Sequence, residues 1–402
     1  MQNMKLPRLA SCVGVAIIVT AAGCSDSSVD PGPLPRVTPA AISIRGGDAQ
    51  TGTAGDRLGT RPSVLVTGPN DEPAPNIDVT FRVIEGGGTV AYTRVKTSAQ
   101  GIASPGPWTL GVKPGINALE ANVDGLEPVT FSATGVSSFN ITVRYIGSAT
   151  AAQEAAVDSA VRRWTEIIVN DVFDLRMIVG AGMCFSQQPR IDEVVDDLLL
   201  FIRFAPIDGA GGILGRAGPC YVRTLNTMPI MALIELDAED LVEIEQKGAL
   251  VDLILHEMGH TLGFGTIWPL RSLVAGMGSA NPLYTGAFGV AQYRTMGGGF
   301  GGVPVENIGG PGTRDSHWRE STFGVELMTG FLSGSGNLLS RFSVASLGDL
   351  GYRINVNGAD DYDMGVALRA PAAAGAVISL DGREVLITPR YATPSEGVRI
   401  DR

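Results

Sequence analysis

Histidine is the scarcest chemical resource of this 402-residue chain, with three residues, and cysteine is little commoner, with four. So few cysteines exclude a disulfide-stapled scaffold, and three histidines cap any imidazole chemistry, which makes the place of each one informative. Basic runs are also missing. Thirty Lys plus Arg against 41 Asp plus Glu leave a net charge of −11, and no stretch offers the footprint a nucleic acid needs. What is plentiful is apolar and turn-forming: 44% hydrophobic residues, 53 Gly and 24 Pro. Disorder is thereby excluded for the chain as a whole, and its length predicts one sizeable core at least and, by size, two.

A membrane-spanning run is absent as well. Lys5 and Arg8 precede a small-residue apolar run from Leu9 to Ala22, which is short of the roughly twenty residues a spanning helix requires and has the length of a secretory core. Residues 1–23 therefore read as an export signal. Its end, Ala21-Ala22-Gly23-Cys24 before Ser25-Asp26-Ser27-Ser28, resembles the lipidation box of bacterial lipoproteins, although Ala21 stands where that box usually has Leu. The resemblance implies that Cys24 becomes the acylated first residue. A lipid anchor would then hold a cell-envelope lipoprotein to the membrane, at the outer membrane or cell surface. Ordinary cleavage near Gly23 would instead give a secreted protein. Either way Cys184 and Cys220 remain in the body, and an oxidising compartment favours their pairing; a thiolate capping a metal as a latency switch is the alternative.

Residues 24–40 are rich in Ser, Pro, Asp and Gly and read as a flexible linker. From 41 to 136 short alternating runs, such as Pro62 to Thr67, Ile77 to Ile84, Asn117 to Val123 and Val129 to Ala133, are separated by Gly, Pro and Asn, which predicts an all-β sandwich. The Pro75 to Phe81 strand, the Gly86-Gly87-Gly88 turn and the closing run to Gly135 resemble the bacterial immunoglobulin-like domains of invasins. That resemblance implies a spacer or an adhesin, and the absence of exposed aromatic clusters favours the spacer. A second domain follows over 137–364. Phe139 to Ile146 alternates as a strand, Ala155, Val157, Val161, Trp164, Ile167 and Ile168 recur at helical spacing, and strand-like pieces cover Arg176 to Val179, Leu198 to Ala205 and Pro229 to Leu236. The product is an α+β domain with a helix-backed mixed sheet. In the β-rich tail, 365–402, Gly375 to Leu380 and Arg383 to Thr388 alternate like a hairpin or two edge strands. Asp360, Asp361 and Asp363 lack the spacing of a calcium loop and read as a surface turn.

The apolar stretch from Ala249 to Leu262 reads as one buried helix carrying His256-Glu257-Met258-Gly259-His260, the H-E-x-x-H pattern. Residues four apart share a helical face, so both imidazoles can meet one zinc, with Glu257 beside them to hold the attacking water. A catalytic zinc takes three protein ligands plus water. In the extended pattern a Gly stands at 263 and a third His at 266; Gly263 is present, but 266 is Thr, and the remaining His is His317, 57 positions after His260. The Pro269 to Gly312 insertion between them is heavy in Gly and either shapes specificity or closes the core.

Here the chain resembles the leishmanolysin family, the metzincin peptidases in which an insertion separates the helix glycine from the third His. Supporting matches are Cys184, Gly218-Pro219-Cys220, Gly309-Gly310 and Leu338 to Tyr352. The resemblance implies that His256, His260 and His317 bind one catalytic zinc and that Glu257 is the general base. It further implies that Gly263 turns the chain away from the helix, that Met328 floors the metal site, and that substrate lies extended along a sheet edge. The Gly211 to Thr224 region is the candidate edge. Glu320 and Glu326 are expected as solvated turn residues or as acceptors for His N–H groups rather than as ligands. The expected function is a zinc metalloendopeptidase acting on extracellular proteins. A surface adhesin with an inactive peptidase-like domain and a zinc peptidoglycan hydrolase are the alternatives.

Overall fold

The computed structural model describes residues 37–333, 336–367 and 377–401. The expected export signal, Cys24 and all but the last few linker residues lie outside the described residues. Among those described, no helix is long and apolar enough to cross a membrane.

The N-terminal region is β-rich, and side-chain alternation explains how. Val129–Val136 buries Phe131 and Ala133 and turns Thr130, Ser132 and Thr134 to solvent. One sheet consists of Ala41–Gly46, Ser63–Thr67 and Ile102–Ala103; the other orders Gln50–Thr53, Val129–Val136, Gly115–Asn122, Asp78–Glu85 and Arg94–Lys96. Val64 and Val66 from the first sheet share one core with Val79, Phe81, Leu119 and Phe131 from the second. Two half-buried sheets closing on a common apolar layer make a sandwich. Arg353, from the following region, reaches back to this one: its Nη1 lies 2.7 Å from Asp56 Oδ1 and its Nη2 donates to Ala54 O at 2.9 Å.

The second region is α+β. Ile141–Tyr145, Leu198–Ala205 and Pro229–Asp237 are successive parallel neighbours, and Gly215–Val222 runs antiparallel beside the last. The central strands are apolar on both sides because both faces are covered. Leu198, Leu200, Ile202, Ala232 and Ile234 pack on Trp164 and Val157 of the helix Ala151–Ile167 and on Leu253 and Ile254 of the helix Leu250–Thr261. The alternate residues, Leu199, Phe201, Met231 and Leu233, meet Met177, Val179 and Ile191 of the hairpin Leu175–Val179 and Ile191–Val195. Cys184 and Cys220 are bonded on that second face, tying the hairpin side to the strand Gly215–Val222 with their Cα atoms 5.4 Å apart.

The tail pairs with the body rather than with itself, as edge strands and not as a hairpin, so the expected sheet edge at Gly211 to Thr224 is covered by the tail. Ile378–Ser379 pairs with Phe331–Leu332, Glu384–Leu386 and Arg390–Tyr391 run parallel to Gly215–Val222, and Val398–Asp401 joins Leu175–Val179. The insertion is compact. Its short strands Val274–Ala275, Leu283–Tyr284 and Val303–Pro304 form a sheet, and its helix Ala287–Thr295 packs on Arg341–Asp349. It contributes Tyr284 to an aromatic cluster centred on Trp318, with ring centroids 5.1 Å to Trp268, 5.1 Å to Phe264 and 5.3 Å to Phe342. The insertion therefore closes the core beside the H-E-x-x-H helix, and in doing so immobilises the residue next to His317.

Candidate metal centre

The helix Leu250–Thr261 is buried along its whole second half. Trp164 Nε1 donates to Leu255 O at 3.1 Å, fixing the helix one residue before His256. His256 and His260, one turn apart, project to the same side. The helix ends in a turn that only glycine accommodates: Gly263 has φ +109°, and a Cβ there would come within 2.7 Å of Ile267 Cδ1. The turn sends the Phe264 carbonyl back to His260 Nδ1, 2.9 Å away. Thr266, where a contiguous pattern would place its third His, instead donates its hydroxyl to His260 O at 2.8 Å.

The third imidazole arrives from His317, held by Trp318 in the aromatic cluster. The Nε2 atoms of His256, His260 and His317 stand 3.0 Å apart in all three pairs. Their Nδ1 atoms face backbone carbonyls: Leu327 O at 2.7 Å, Phe264 O at 2.9 Å and Thr313 O at 3.1 Å. A carbonyl can only accept, so each Nδ1 carries the proton and each Nε2 turns a lone pair inward. Glu384, from the tail, completes the cluster. Its Oε1 lies 3.0 Å from His260 Nε2 and 3.7 Å from His256 Nε2, and its Oε2 lies 3.1 Å from His317 Nε2. All four side chains are fully buried.

Three inward lone pairs and a carboxylate in one dry space repel each other unless a cation sits among them. Imidazole nitrogens and carboxylate oxygens are zinc donors, and atoms bonded to one zinc at roughly 2.0–2.1 Å stand a little over 3 Å from each other. Donor set and spacing both fit a single zinc.

Glu257 lies beside the cluster, fully buried, with neither carboxylate oxygen hydrogen-bonded. Gly215 makes room for it, since a Cβ there would come 3.2 Å from Glu257 Oε1. Burial and the neighbouring Glu384 charge push the Glu257 carboxyl well above the usual carboxylate range. Burial opposes the charge on Glu384, but the imidazoles around it hold its carboxyl well below that range. Burial takes His260 down to about 4; in His317 the Glu384 charge and the Thr313 carbonyl overcome burial and raise it.

Met328 packs its sulfur under the helix, where a Cβ at Gly259 would come 3.0 Å from its Sδ. Its loop also supplies the Leu327 carbonyl that orients His256. Glu326 fixes this loop, contrary to the expectation of a solvated turn or of an acceptor for His N–H. It is buried, accepts from Met328 N at 2.6 Å and Ser340 Oγ at 2.7 Å, and also accepts from the Ser343 hydroxyl. Glu320 is half-buried away from the imidazoles, and burial raises its carboxyl to about 7.

Sequence reasoning gathered His256, Glu257, His260, His317 and Met328, and the structure brings all five together. It missed Glu384, a lone carboxylate in the tail with no spacing relationship to the helix.

Comparison with known proteins agrees with this geometry. Residues 190–364 match the leishmanolysin peptidase family. A leishmanolysin homolog of Crithidia fasciculata is 29% identical over 165 residues, covering 39% of this chain. The chain spans about a quarter of that relative's length, 24%. Among solved structures, the D00-D0 domain of intimin covers 27% of this chain and 52% of its own at 14% identity and a TM-score of 0.20. The D0-D1 domain of intimin covers 36% and 73% at 10% identity and a TM-score of 0.21. This chain therefore contains a leishmanolysin-like peptidase domain, with its buried His3Glu cluster inside the mixed α+β region.

Proposed function

We propose that the protein is a zinc metalloendopeptidase that hydrolyses peptide bonds of extracellular proteins. One observation carries the reading: three imidazoles with their Nε2 lone pairs converging, and a buried carboxylate with no hydrogen-bond partner, Glu257, on the same helix. When bound, zinc supplies Lewis acidity and an acidified water. His256, His260 and His317 hold it, with tautomers fixed by Leu327, Phe264 and Thr313. Glu257, buried beside the cluster with neither carboxylate oxygen hydrogen-bonded, would take the proton from the attacking water and return it to the leaving amine. The strand Gly215–Val222, whose outer side carries the tail strands Glu384–Leu386 and Arg390–Tyr391, would hold an extended peptide by backbone pairing once the tail is displaced. Gly263 and Met328 position the ligands from behind.

The remaining readings belong to the same proposal. Residues 1–23 export the chain, Cys24 carries a lipid, residues 41–136 form an immunoglobulin-like spacer, and residues 137–364 form the catalytic domain at the cell envelope. The lipidation-box resemblance and the Cys184–Cys220 bond support an exported protein.

The test is metal content and casein hydrolysis on the same purified protein, beside Glu257→Ala and a chelated sample. About one zinc per chain is expected, with a hydrolysis that is slow while the tail lies on the centre and is lost in both controls. Absence of zinc from the purified protein, with none taken up on addition, would sink the assignment.

A further inference from the structure

We infer that the C-terminal tail is a built-in inhibitor of the metal centre, with Glu384 occupying the place a water or a scissile carbonyl needs. The inference rests on the zinc-peptidase reading and goes beyond it by assigning the centre a latent state.

Three observations carry it. First, Glu384 is the fourth donor of the cluster, its two oxygens lying 3.0–3.7 Å from the three Nε2 atoms. A hydrolytic zinc keeps that position open. Second, the tail already lies on the surface an extended substrate would use. Glu384, Val385 and Leu386 pair in parallel with Gly215, Arg216 and Ala217, Leu214 N donates to Arg383 O at 2.7 Å, and Ile387 N donates to Ala217 O at 2.8 Å. Third, the tail is held as an inhibitor and not as a substrate. The Arg383 carbonyl accepts from Leu214 N and Gly215 N, and the Glu384 carbonyl is pressed against Gly312, which has no room for a Cβ. Only the carboxylate reaches the imidazoles.

The tail is clamped a residue away. Arg383 Nη2 lies 2.8 Å from the buried Asp240 Oδ1, and Arg383 Nε donates to Gly212 O at 3.2 Å. Asp381 Oδ1 accepts from Gly310 N at 2.8 Å, in the segment leading to His317. These contacts lie outside the cluster, so they can be loosened without touching a metal donor. A carboxylate tethered next to the centre competes at high effective concentration, and a weakened tether lowers that concentration.

The experiment compares the full chain with Glu384→Ala, Glu384→Gln and Arg383→Ala. Each is checked for folding by circular dichroism and for metal content, then loaded with cobalt for visible absorption and titrated with a peptidyl hydroxamate. The inference expects metal in every variant. It expects a changed cobalt spectrum in both Glu384 variants, and hydroxamate binding at least about tenfold tighter in Glu384→Ala and Arg383→Ala than in the parent. Equal spectra and equal hydroxamate affinity in metal-loaded parent and variants would overturn it. So would folded Glu384 variants that no longer hold metal, since Glu384 would then be an obligate structural ligand. Absence of metal from parent and variants alike overturns the zinc reading itself, and the inference with it.

Discussion

Thr266 donates its hydroxyl to the carbonyl of His260, 2.8 Å away, from the position where a contiguous zinc pattern would place its third ligand. The side chain caps the helix end instead of meeting the cluster, and His317 supplies the third nitrogen. Thr266→Val therefore costs about 0.5–1.5 kcal/mol of stability in urea unfolding and leaves the zinc content unchanged. His317→Ala weakens zinc binding, and adding Thr266→His does not restore it. Restoration in the double variant would show that residue 266 can reach the metal.

Gly263→Ala puts a Cβ on a left-handed turn and within 2.7 Å of Ile267 Cδ1 and 3.2 Å of Leu350 Cδ1. The expected loss is about 1–3 kcal/mol in thermal or urea unfolding. Because the same turn aims the Phe264 carbonyl at His260 Nδ1, zinc affinity falls too, by roughly 10–100-fold. A destabilised variant with unaltered zinc affinity would uncouple the turn from the ligand.

Cys184 and Cys220 are joined on the sheet face opposite the helices, so neither sulfur is available to cap the metal in this state. Replacing both with Ser removes a bond between positions 36 apart and is expected to cost about 2–4 kcal/mol. Zinc stoichiometry stays the same. Release of activity by mild reductant alone, without unfolding, would revive a thiol latency mechanism.

Asp197 gives the fold a pH dependence remote from the cluster. It is buried, and burial lifts its carboxyl to about 7 against the pull of backbone hydrogen bonds from Val172 and Asn140. The folded state thus binds the proton more tightly than the unfolded chain, whose Asp titrates near about 3.9. Stability from this group is fully present below about pH 4, declines as pH rises, and is exhausted above about pH 7. Asp197→Asn suits the left-handed backbone there, φ 57°, and should flatten that part of the unfolding profile. Parallel profiles for parent and variant would remove Asp197 as the cause.

Much of this architecture was legible because it obeys simple periods. Leu198–Ala205 coincides with its apolar run, and the helix Leu250–Thr261 lies within the predicted Ala249 to Leu262 stretch. The strand Gly215–Val222 was harder to read, since Gly215, Gly218 and Pro219 interrupt any alternation. Three histidines in the whole chain made His317 the sole available third imidazole. Glu384 had no such advantage, being one of 41 acidic residues, and burial is what distinguishes it. Glu326 was misread for a related reason: its hydroxyl partners Ser340 and Ser343 sit on a different segment, and their number is invisible until the loop folds onto them.

The four donors also enter the chain in a fixed order, His256, His260, His317 and last Glu384, 67 positions after the third histidine. During synthesis the imidazoles emerge before the carboxylate that will face them, and the parallel pairing that seats Glu384 forms only after a long loop has closed. Closure of that kind is slow relative to shorter-range contacts, and the 57 positions between His260 and His317 are fewer than the 169 between Gly215 and its partner Glu384. A nascent molecule can therefore acquire its cation first and its fourth donor afterwards, so the order of residues along the chain doubles as an order of assembly.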